Sequence, residues 1–384
     1  MRSTVLKNQI LFIMNKIKVV TVVGTRPEII RLSRVIDILD KYTDHILIHT
    51  GQNFDYELRD IFFADLSLRK PDYQLNLKTT STITNIALIL NEVDKILRKE
   101  LPKAFVVLGD TNSSISSYVA KRLKIPIFHI EAGNRCYDQR VPEEINRKIV
   151  DHISDVNITY SEIAKQNLIR ENIDPDKIFK IGSPLHEVFN FYYPKIKRSK
   201  IIKRLNIKKK KYFLLSVHRE ENVDNEKNIE KLYKLLCKLD GRKSEKIVFS
   251  THPRTKNKLQ KFDLNKLSNI LFLKPFNYTD YANLQMNAKI VLSDSGSLTE
   301  ESSIMKFPAI NLRSTNERQE GMSFGSAIMT RFDYDKINLL INFFEKNKQI
   351  NSVNEYYSPN FSVIFFKVLV SYIDYIQEYI WKNN

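Results

Sequence analysis

The chain has 384 residues, of which 42% are hydrophobic and 27% charged, as in ordinary globular proteins. Its two cysteines, Cys136 and Cys237, exclude a disulfide framework and favour a cytoplasmic location, and no apolar run is long enough to span a membrane. The formal net charge of +17 arises from scattered lysines without an aromatic-interleaved basic patch, so we predict an anionic small substrate and no nucleic-acid binding.

The first half of the chain alternates apolar strand runs with helical segments, including helices over 84–99 and 113–124. Residues 1–16 precede this series, and their apolar stretch is too short for a signal peptide. We expect them to form a poorly ordered extension. Continuous apolar strands separated by helices are typical of parallel sheets covered on both faces, so residues 17–185 are predicted to form a doubly wound α/β domain. The strand runs are IKVVTVV, HILIHT, AFVVLGD, IPIFHI and VNITYS.

A change of composition separates this domain from a second one. Prolines, aromatics and dense lysine between residues 180 and 211 indicate a crossover. A second α/β series follows, which we assign to a Rossmann-like domain over 186–360, with the strand runs YFLLSVH, KIVFSTH, ILFLKP, KIVLSD and FPAINLR. The aromatic-rich amphipathic segment 361–384 is predicted to be a helix that packs back on the first domain.

Three carboxylates of the first domain stand at positions typical of an active site. Asp110 ends a buried strand run and Glu131 directly follows another, at the edge where open α/β sheets place their chemistry. Glu143 lies in the first turn of a helix that starts at Pro142, where helix capping alone would explain it. The density of charge in this stretch favours a site over a cap, since it also contains Arg135, Arg140 and Arg147.

The second domain contains a pattern suited to a diphosphate. The strand KIVLSD runs into Ser295, Gly296 and Ser297 at a helix start, where backbone amides and hydroxyls bind anions. Glu301, one turn later, is placed to accept hydrogen bonds from a ribose diol. A serine-capped helix is the structural alternative, but it does not account for a glutamate pair so close to an anion site.

Histidines and arginines recur where predicted strands end. His218 and His252 both end strands of the second domain, and a structural hydrogen bond is the alternative for either ring. Arginine forks suit phosphate oxygens, so we also predict that substrate contacts come from charged residues that follow strands. These are Arg26 in the loop GTRPE, and Arg313, Glu317 and Arg318 in NLRSTNERQEG.

The sequence lacks the patterns that mark three other kinds of site. The loop GTRPE has no GxGxxG, so it does not match a dinucleotide fingerprint. No three potential ligands have the spacing of a metal site, and no serine has the nucleophile-elbow pattern. The remaining pattern predicts acid–base chemistry on a diphosphate-linked substrate held in a cleft between the two domains.

Taken in order, these motifs resemble the non-hydrolysing UDP-N-acetylglucosamine 2-epimerase family. The motifs are GTRPE, TGQN, GDT, HIEAG, PEEINR, HREEN, DSGSLTEE and ERQEG, between positions 24 and 321. The resemblance implies a glycosyltransferase-B-like fold of two Rossmann-like domains with the site between them. It also implies a homodimer and a reaction that needs neither a metal nor a nicotinamide cofactor.

One branch of the family is the most similar, on the runs GQNFDYEL, EAGNRCYDQRVPEEINRKIVDHISD, STHPRT, LKPF and ERQEGM. This branch occurs in capsule and O-antigen (lipopolysaccharide) gene sets, and its members resemble 2-epimerases of UDP-2-acetamido-2,6-dideoxy-L-hexoses. The resemblance therefore predicts production of UDP-N-acetyl-L-fucosamine or its L-quinovosamine relative. Asn53 stands where the broader family usually has a histidine of a second, regulatory UDP-sugar site, which argues against such regulation here.

The resemblance also assigns roles to residues. Proton transfer falls to Asp110, Glu131 and Glu143, while His218 assists the departure of UDP. Substrate or UDP binding falls to Arg26, Arg135, Arg147, His252, Ser295, Gly296, Ser297, Glu301, Arg313, Glu317 and Arg318. The alternatives are a UDP-N-acetylglucosamine 2-epimerase, a hydrolysing relative, a glycosyltransferase of the same fold and a non-catalytic UDP-sugar sensor.

Overall fold

The computed structural model describes residues 16–51, 60–77, 79, 81–347 and 349–382. Except for Lys16, the expected extension over 1–16 lies outside the described residues. Asn53, which stands where the broader family usually has a histidine, also lies outside them. In the described part, no helix is long and apolar enough to cross a membrane.

The strands form two sheets in which every pairing is parallel. The first sheet has the order β3-β2-β1-β4-β5-β6-β7. Its strands are β1 (Lys18–Val23), β2 (Asp44–His49), β3 (Tyr73–Gln74), β4 (Ala104–Leu108), β5 (Ile127–Ile130), β6 (Val156–Thr159) and β7 (Ile178–Lys180).

The second sheet repeats this plan with the order β10-β9-β8-β11-β12-β13. Its strands are β8 (Tyr212–Ser216), β9 (Lys246–Ser250), β10 (Ile270–Leu273), β11 (Ile290–Ser293), β12 (Ala309–Asn311) and β13 (Ile328–Met329). Strands β4 and β8 are buried along their whole length, because both faces of each sheet are covered by helices. The predicted pair of doubly wound α/β sheets is confirmed.

The helices that accompany the first sheet include those that contain the predicted site residues Arg26, Glu143 and Arg147. They are α1 (Arg26–Tyr42), α2 (Asp60–Asp65), α3 (Thr82–Glu100), α4 (Ser117–Arg122), α5 (Pro142–Ile153), α6 (Glu162–Arg170) and α7 (Pro184–Arg198). Helix α7 packs on α1 and also on helices of the second sheet, so it joins the two units.

The second sheet and the tail contribute the remaining helices. They are α8 (Ile201–Arg204), α9 (Glu220–Val223), α10 (Glu226–Asp240), α11 (Pro253–Leu259), α12 (Tyr278–Asn287), α13 (Leu298–Met305), α14 (Gln319–Ser323), α15 (Tyr334–Lys346) and α16 (Phe361–Tyr375). Short 3₁₀ turns occur at Ser114–Ser116, Pro175–Lys177, Leu264–Lys266 and Asn354–Tyr356, and a π turn at Ile376–Ile380.

The helix predicted over 113–124 is shorter in the structure, where a 3₁₀ turn precedes α4. The hydroxyls of Ser116 and Ser117 donate to the carbonyls of Ser113 and Ser114, three residues earlier. Such local side-chain bonds compete with the regular helix, which explains the tighter turn. The run of serines was therefore the sequence signal for a shorter helix.

The tail helix α16 packs on α1 of the first unit. The ring of Phe365 meets that of Phe128 in β5 edge to face at 6.3 Å, and Phe366 contacts Tyr42 at 5.6 Å. These aromatic contacts give the tail a fixed place beneath the first sheet. The residue boundaries of the domains stay predictions.

Candidate active site

The predicted carboxylates and the serine loop lie at the switch points of the two sheets. In the first sheet the strand order reverses between β1 and β4, which lead into Gly24 and Asp110. In the second sheet it reverses between β8 and β11, which lead into His218 and Asp294. Open α/β sheets bind ligands at such points because the loops diverge there. Ion pairs between the units place the two switch points opposite each other across a cleft.

Asp110 is held by an arginine from α5. The guanidinium of Arg147 donates to Asp110 Oδ2 from Nη2 at 2.5 Å and from Nε at 3.0 Å. It also donates from Nη1 to Glu144 Oε2 at 2.7 Å, and Glu144 in turn accepts the backbone N–H groups of Cys136 and Tyr137. Arg147 and Glu144 are buried, whereas the Asp110 side chain is 25% exposed. Asp110 is therefore the one of these three side chains that a substrate can reach.

Glu131 adopts a φ of +73°, in the left-handed region that costs energy for a residue with a Cβ atom. Its Oε1 accepts from Arg318 Nη2 at 2.8 Å, and its Oε2 accepts from the Tyr160 hydroxyl at 3.2 Å and lies 3.5 Å from Arg31 Nε. The strained backbone is thus maintained by contacts from both units, a feature common at functional sites.

Glu300 lies beside Glu131 at the same inter-unit contact and is fully buried. Arg31 donates to it at 2.6 Å, Arg318 lies 3.1 Å away, and Ser183 donates to its other oxygen. Burial opposes the charged form, but Arg31 and Arg318 hold the pKa of Glu300 below its ordinary value. Two carboxylates and two arginines therefore form one buried cluster that joins the units.

Glu143 lies in the first turn of α5 and pairs across the cleft. Arg219 Nη1 donates to Glu143 Oε1 at 2.8 Å, and the Glu143 side chain is 33% exposed. Burial raises the pKa of Glu143, Arg219 opposes that shift, and the negative charge of Asp110 adds to it. Glu143 is thereby suited to hold a proton closer to neutral pH than an ordinary glutamate.

Asp294 organises the start of the loop after β8. Its carboxylate accepts the backbone N–H groups of His218 and Arg219, each at 3.0 Å, and the side-chain amide of Asn222 at 3.0 Å. Asp294 is fully buried, so this carboxylate supports its neighbours and does not itself face the cleft.

The His218 ring is only partly exposed and lies among cations. Its Nδ1 is 3.3 Å from Asp294 Oδ1. Burial lowers the pKa of His218 well below its ordinary value, and positive charges add to this effect. The ring is therefore neutral at neutral pH in the absence of an anion. The contributing arginines are Arg26, Arg219 and Arg313, and the ring of His252 adds to their effect.

The serine loop forms a connected hydrogen-bond chain at the start of α13. The hydroxyls of Ser295 and Ser297 are 2.9 Å apart, and Ser297 donates to Glu301 Oε1 at 2.8 Å. Gln285 donates to the other oxygen of Glu301 at 2.6 Å. The loop therefore presents hydroxyls at a helix start, with Glu301 fixed in place beside them.

Arg313 is buried but incompletely paired. Its Nη1 donates to Glu317 Oε2 at 2.6 Å, whereas its Nε and Nη2 have no hydrogen-bond partner. Buried donors without partners are costly, and an oxyanion would satisfy them. Burial opposes ionisation of Glu317, but Arg313 and Arg219 hold its pKa far below the ordinary range.

A pocket that is open to solvent lies at this inter-unit edge. Four of the predicted binding residues line it, namely Arg26, Ser295, Ser297 and Glu301. Its other walls include aromatic rings, which suit a planar ring next to the polar loop. The aromatic residues are Phe62, Phe276, Tyr278 and Tyr281.

Arg135 and His252, which were predicted to bind substrate, make contacts within their own units. Arg135 is completely buried, where it binds Asp151 at 2.6 Å and donates twice to Glu171 at 2.6 and 2.8 Å. The structure therefore places this guanidinium in the interior of the first unit and away from the cleft. His252 caps α11 by accepting the backbone N–H of Arg254 at 3.2 Å, and its ring lies 5.9 Å from that of His218.

Sequence reasoning did not single out four residues that the structure brings to this edge, namely Arg31, Arg219, Asp294 and Glu300. Arg219 and Asp294 stood inside the motifs HREEN and DSGSLTEE, so their position after a strand was an available signal. Glu300 also stood inside DSGSLTEE, whereas Arg31 had no comparable signal, because its pairing with Glu300 joins positions 269 residues apart. Among the described residues, no group of three His, Cys, Asp or Glu side chains could hold a metal ion.

Comparison with known proteins identifies the family. A family model described as UDP-N-acetylglucosamine 2-epimerase matches residues 38–369. The chain belongs to this family. Members of the family are isomerases, so the protein is an enzyme of that class.

Solved structures extend this result to the fold of the epimerase. The structure of UDP-N-acetylglucosamine 2-epimerase from Rickettsia bellii is 45% identical, with a TM-score of 0.89, and the match covers 96% of this chain and 100% of that one. The Methanocaldococcus jannaschii UDP-GlcNAc 2-epimerase in complex with UDP-GlcNAc and UDP is 34% identical, with a TM-score of 0.86, over 92% and 100% of the two chains. The predicted glycosyltransferase-B-like fold is confirmed.

A curated relative with a different name also matches. The UDP-2,3-diacetamido-2,3-dideoxy-D-glucuronate 2-epimerase of Pseudomonas aeruginosa is 30% identical over 326 residues, which are 83% of this chain and 90% of that protein. Relatives at this level of identity therefore carry the names of more than one UDP-sugar.

Proposed function

We propose that the protein inverts C2 of a UDP-2-acetamido sugar by eliminating UDP to give a glycal and then adding UDP back. The observation that carries this proposal is the pairing across the cleft of Glu143 with Arg219 at 2.8 Å. It brings a carboxylate with a raised pKa to Arg219, whose Nη2 lies 3.2 Å from where a Cβ atom on Gly296 of the serine loop would stand. A proton donor and an anion site are thereby next to each other.

The chemistry requires both parts of the site. The C2 proton of an acetamido sugar is not adjacent to a carbonyl group, so direct deprotonation is unfavourable. When the C1–O bond breaks, its electron pair leaves with UDP, a base takes the C2 proton, and a C1–C2 double bond forms. Protonation of C2 from the opposite face, with return of the UDP oxygen to C1, then gives the epimer.

We assign the proton transfers to Asp110, Glu131 and Glu143. Two opposite faces of C2 need one group that accepts a proton and another that donates one. Burial gives Glu143 a raised pKa and suits it to the donor role. Asp110, 25% exposed and oriented by Arg147, and Glu131, held by Arg318, are the candidate acceptors.

Departure of UDP leaves negative charge on the diphosphate. The groups that would stabilise it are the two Arg313 donors that make no hydrogen bond, the hydroxyls of Ser295 and Ser297, and the guanidinium of Arg26. His218, neutral before substrate binds, would take up positive character as the diphosphate approaches. The homodimer expected from the family resemblance remains a prediction.

For the sugar, we propose conversion of UDP-2-acetamido-2,6-dideoxy-L-talose to UDP-N-acetyl-L-fucosamine. The branch runs GQNFDYEL and ERQEGM support this substrate. Helix α14 adds an apolar surface beside Arg318, where Met322 and Phe324 are 39% and 46% exposed and could contact a C6 methyl group. Epimerisation of UDP-N-acetylglucosamine is the second candidate, which is favoured by the 34% identical relative that binds UDP-GlcNAc.

The test compares kcat/KM for the L-talose compound and for UDP-N-acetylglucosamine under identical conditions. A contact with one methyl group is worth about 1–3 kcal/mol, so we expect a preference of about 10- to 200-fold for the 6-deoxy sugar. Met322→Gln should reduce this preference without abolishing turnover. Faster turnover of the glucosamine compound would contradict the proposed substrate and leave the epimerase proposal in place.

A further inference from the structure

Glu28, in the first turn of α1, is a carboxylate that the proposed chemistry does not use and that is only 1% exposed. Its Oε2 accepts the backbone N–H groups of Gly24 at 2.9 Å and of Thr25 at 2.6 Å, together with the Thr25 hydroxyl at 2.8 Å. Its Oε1 accepts the hydroxyl of Thr111 at 2.8 Å. Burying a carboxylate is costly unless it is hydrogen-bonded, and these four donors meet that cost.

Helix capping explains only part of this arrangement. A glutamate three residues after an N-cap commonly reaches back to the N-cap backbone N–H, and Thr25 is the N-cap of α1. Thr111 instead belongs to the turn after β4, 83 residues away from Glu28, and directly follows Asp110. Glu28 therefore joins the start of α1, which carries Arg26, to the turn that carries a proposed catalytic carboxylate.

The loop before α1 and the turn after β4 also touch at a second point. A Cβ atom on Gly24 would lie 2.0 Å from Ser113 Oγ and 2.3 Å from Thr50 Oγ1, and these two hydroxyls are 2.8 Å apart. The backbone N–H of Ser113 donates to the Thr111 hydroxyl at 3.2 Å, which leaves the hydroxyl proton for Glu28. The turn therefore has no room to shift towards the loop, and the bond to Glu28 opposes a shift away from it.

The connection does not depend on the charge of Glu28. Burial raises the pKa of Glu28 to about 7, and its hydrogen-bond donors oppose this shift. Oε2 already accepts two backbone N–H groups, so a proton would be held on Oε1, where it faces the Thr111 hydroxyl. A hydroxyl can accept as well as donate, so the contact persists in the neutral form. A glutamine amide fits the same pattern, with its carbonyl oxygen at the N–H groups and its NH₂ group at Thr111.

We propose that Glu28 is a positioning residue that holds the Asp110 turn and the Arg26 loop in a fixed relative position. It takes no part in proton transfer itself. Its effect on rate rests on the proposed epimerase function, in which Asp110 acts at C2 while Arg26 stabilises the departing diphosphate. The connection between the two segments is independent of any substrate.

Hydrogen–deuterium exchange read by mass spectrometry tests the connection in the unliganded protein. Glu28→Ala should speed exchange of the backbone amides in the loop 24–27 and also in the turn 109–113, because both segments lose a shared partner. Glu28→Gln should keep wild-type exchange in both segments. A residue that only caps α1 would affect the loop alone, so wild-type exchange in the turn of Glu28→Ala would overturn the proposal.

The effect on rate is tested by Thr111→Val, which removes the hydroxyl and leaves the cap of α1 complete. A small displacement of a catalytic group costs up to about 10²-fold in rate, so kcat should fall by about 10- to 100-fold. KM and the UDP-induced increase in Tm should stay near wild type, because Arg26 is not disturbed. The matched control is Thr43→Val at the other end of α1, where the buried hydroxyl donates to the Leu39 carbonyl oxygen at 2.7 Å.

The control separates a structural effect from a positioning effect. Both threonine variants should lower Tm, but Thr43→Val should keep wild-type kcat per folded molecule. Wild-type kcat in Thr111→Val, or an equal loss in both variants, would contradict the positioning role. This comparison also applies if Glu28→Ala does not fold.

Glu28→Gln separates positioning from acid–base catalysis. It should keep kcat near wild type, whereas Glu28→Ala should lower kcat by about 10²-fold. An equally large loss in Glu28→Gln would assign a proton-transfer role to Glu28 and overturn the proposal. If the wild-type protein epimerises no UDP-sugar, the proposed function fails, and hydrogen exchange alone decides whether Glu28 joins the loop and the turn.

Discussion

At the scale of single residues, every proposed acid–base group has a cation partner. A nearby positive charge favours the ionised carboxylate, while burial favours the neutral one. In Glu143 burial prevails and the pKa is raised. The pairs are Asp110 with Arg147, Glu131 with Arg318, and Glu143 with Arg219.

Removing the charge of any one carboxylate should slow the reaction without preventing UDP binding. Asp110→Asn, Glu131→Gln and Glu143→Gln should each lower kcat by about 10²–10⁴-fold, the usual effect of losing an acid or base. Glu92→Gln, on the surface of α3, is the control and should leave kcat unchanged. Near wild-type turnover in all three site variants would place the chemistry elsewhere.

The depressed pKa of His218 predicts proton uptake when UDP binds. Burial and nearby cations keep the ring neutral in the unliganded protein, and a diphosphate would raise its pKa by adding negative charge. Because the complex then holds more protons than the unliganded protein, UDP affinity should increase as the pH falls below neutral.

Calorimetry in two buffers of different ionisation enthalpy measures this uptake. His218→Asn should remove it, while His45→Gln should keep it. Equal uptake in His218→Asn and wild type would assign the proton to another group.

At the scale of elements, the loop between β11 and α13 is packed too closely to admit a side chain at its glycine. A Cβ atom on Gly296 would lie 2.3 Å from Glu317 Oε1 and 3.2 Å from Arg219 Nη2. Gly296→Ala should therefore displace Glu317 and weaken UDP binding by about tenfold, or about 1.4 kcal/mol. Gly241→Ala, at the end of α10, is the control for titration calorimetry. If Gly296→Ala bound UDP with wild-type affinity, the loop could move without weakening UDP binding, and the prediction would be wrong.

The sequence predicted strand ends better than side-chain partners. Asp110, Glu131 and the serine loop were found because each follows a buried apolar run, and parallel strands end at one edge of a sheet. The same pattern also selected Arg135, whose side chain turns inward to Asp151 and Glu171. Its position after a strand did not reveal which way its side chain would turn.

At the scale of the whole molecule, the two units meet through buried charges. Arg31 of α1 binds Glu300 of α13, and Arg318 binds Glu131. Composition and periodicity predicted two domains but could not predict this cluster, because its pairs join residues of different domains that are far apart in the sequence. A buried pair broken on one side costs about 3–5 kcal/mol, so the cluster strongly constrains how the units sit together.

UDP should stabilise the protein against heat by contacting both units. At 100 times its Kd, a ligand that binds only the folded state adds about 2.7 kcal/mol to the free energy of unfolding. Arg26→Ala and Ser295→Ala should reduce the UDP-induced increase in Tm, whereas Arg98→Ala, on the exposed side of α3, should not. An unchanged increase in both site variants would place the diphosphate elsewhere.

The most direct test of the proposed mechanism is the fate of the C2 hydrogen. The protein is incubated in deuterated water with the UDP-2-acetamido-2,6-dideoxy-L-talose compound and, separately, with UDP-N-acetylglucosamine, and the sugars are followed by NMR. Elimination and re-addition through enzyme carboxylates predicts solvent deuterium at C2 of the product and of recovered substrate. Epimerisation that retained all of the C2 hydrogen, or that required added nicotinamide cofactor, would contradict it.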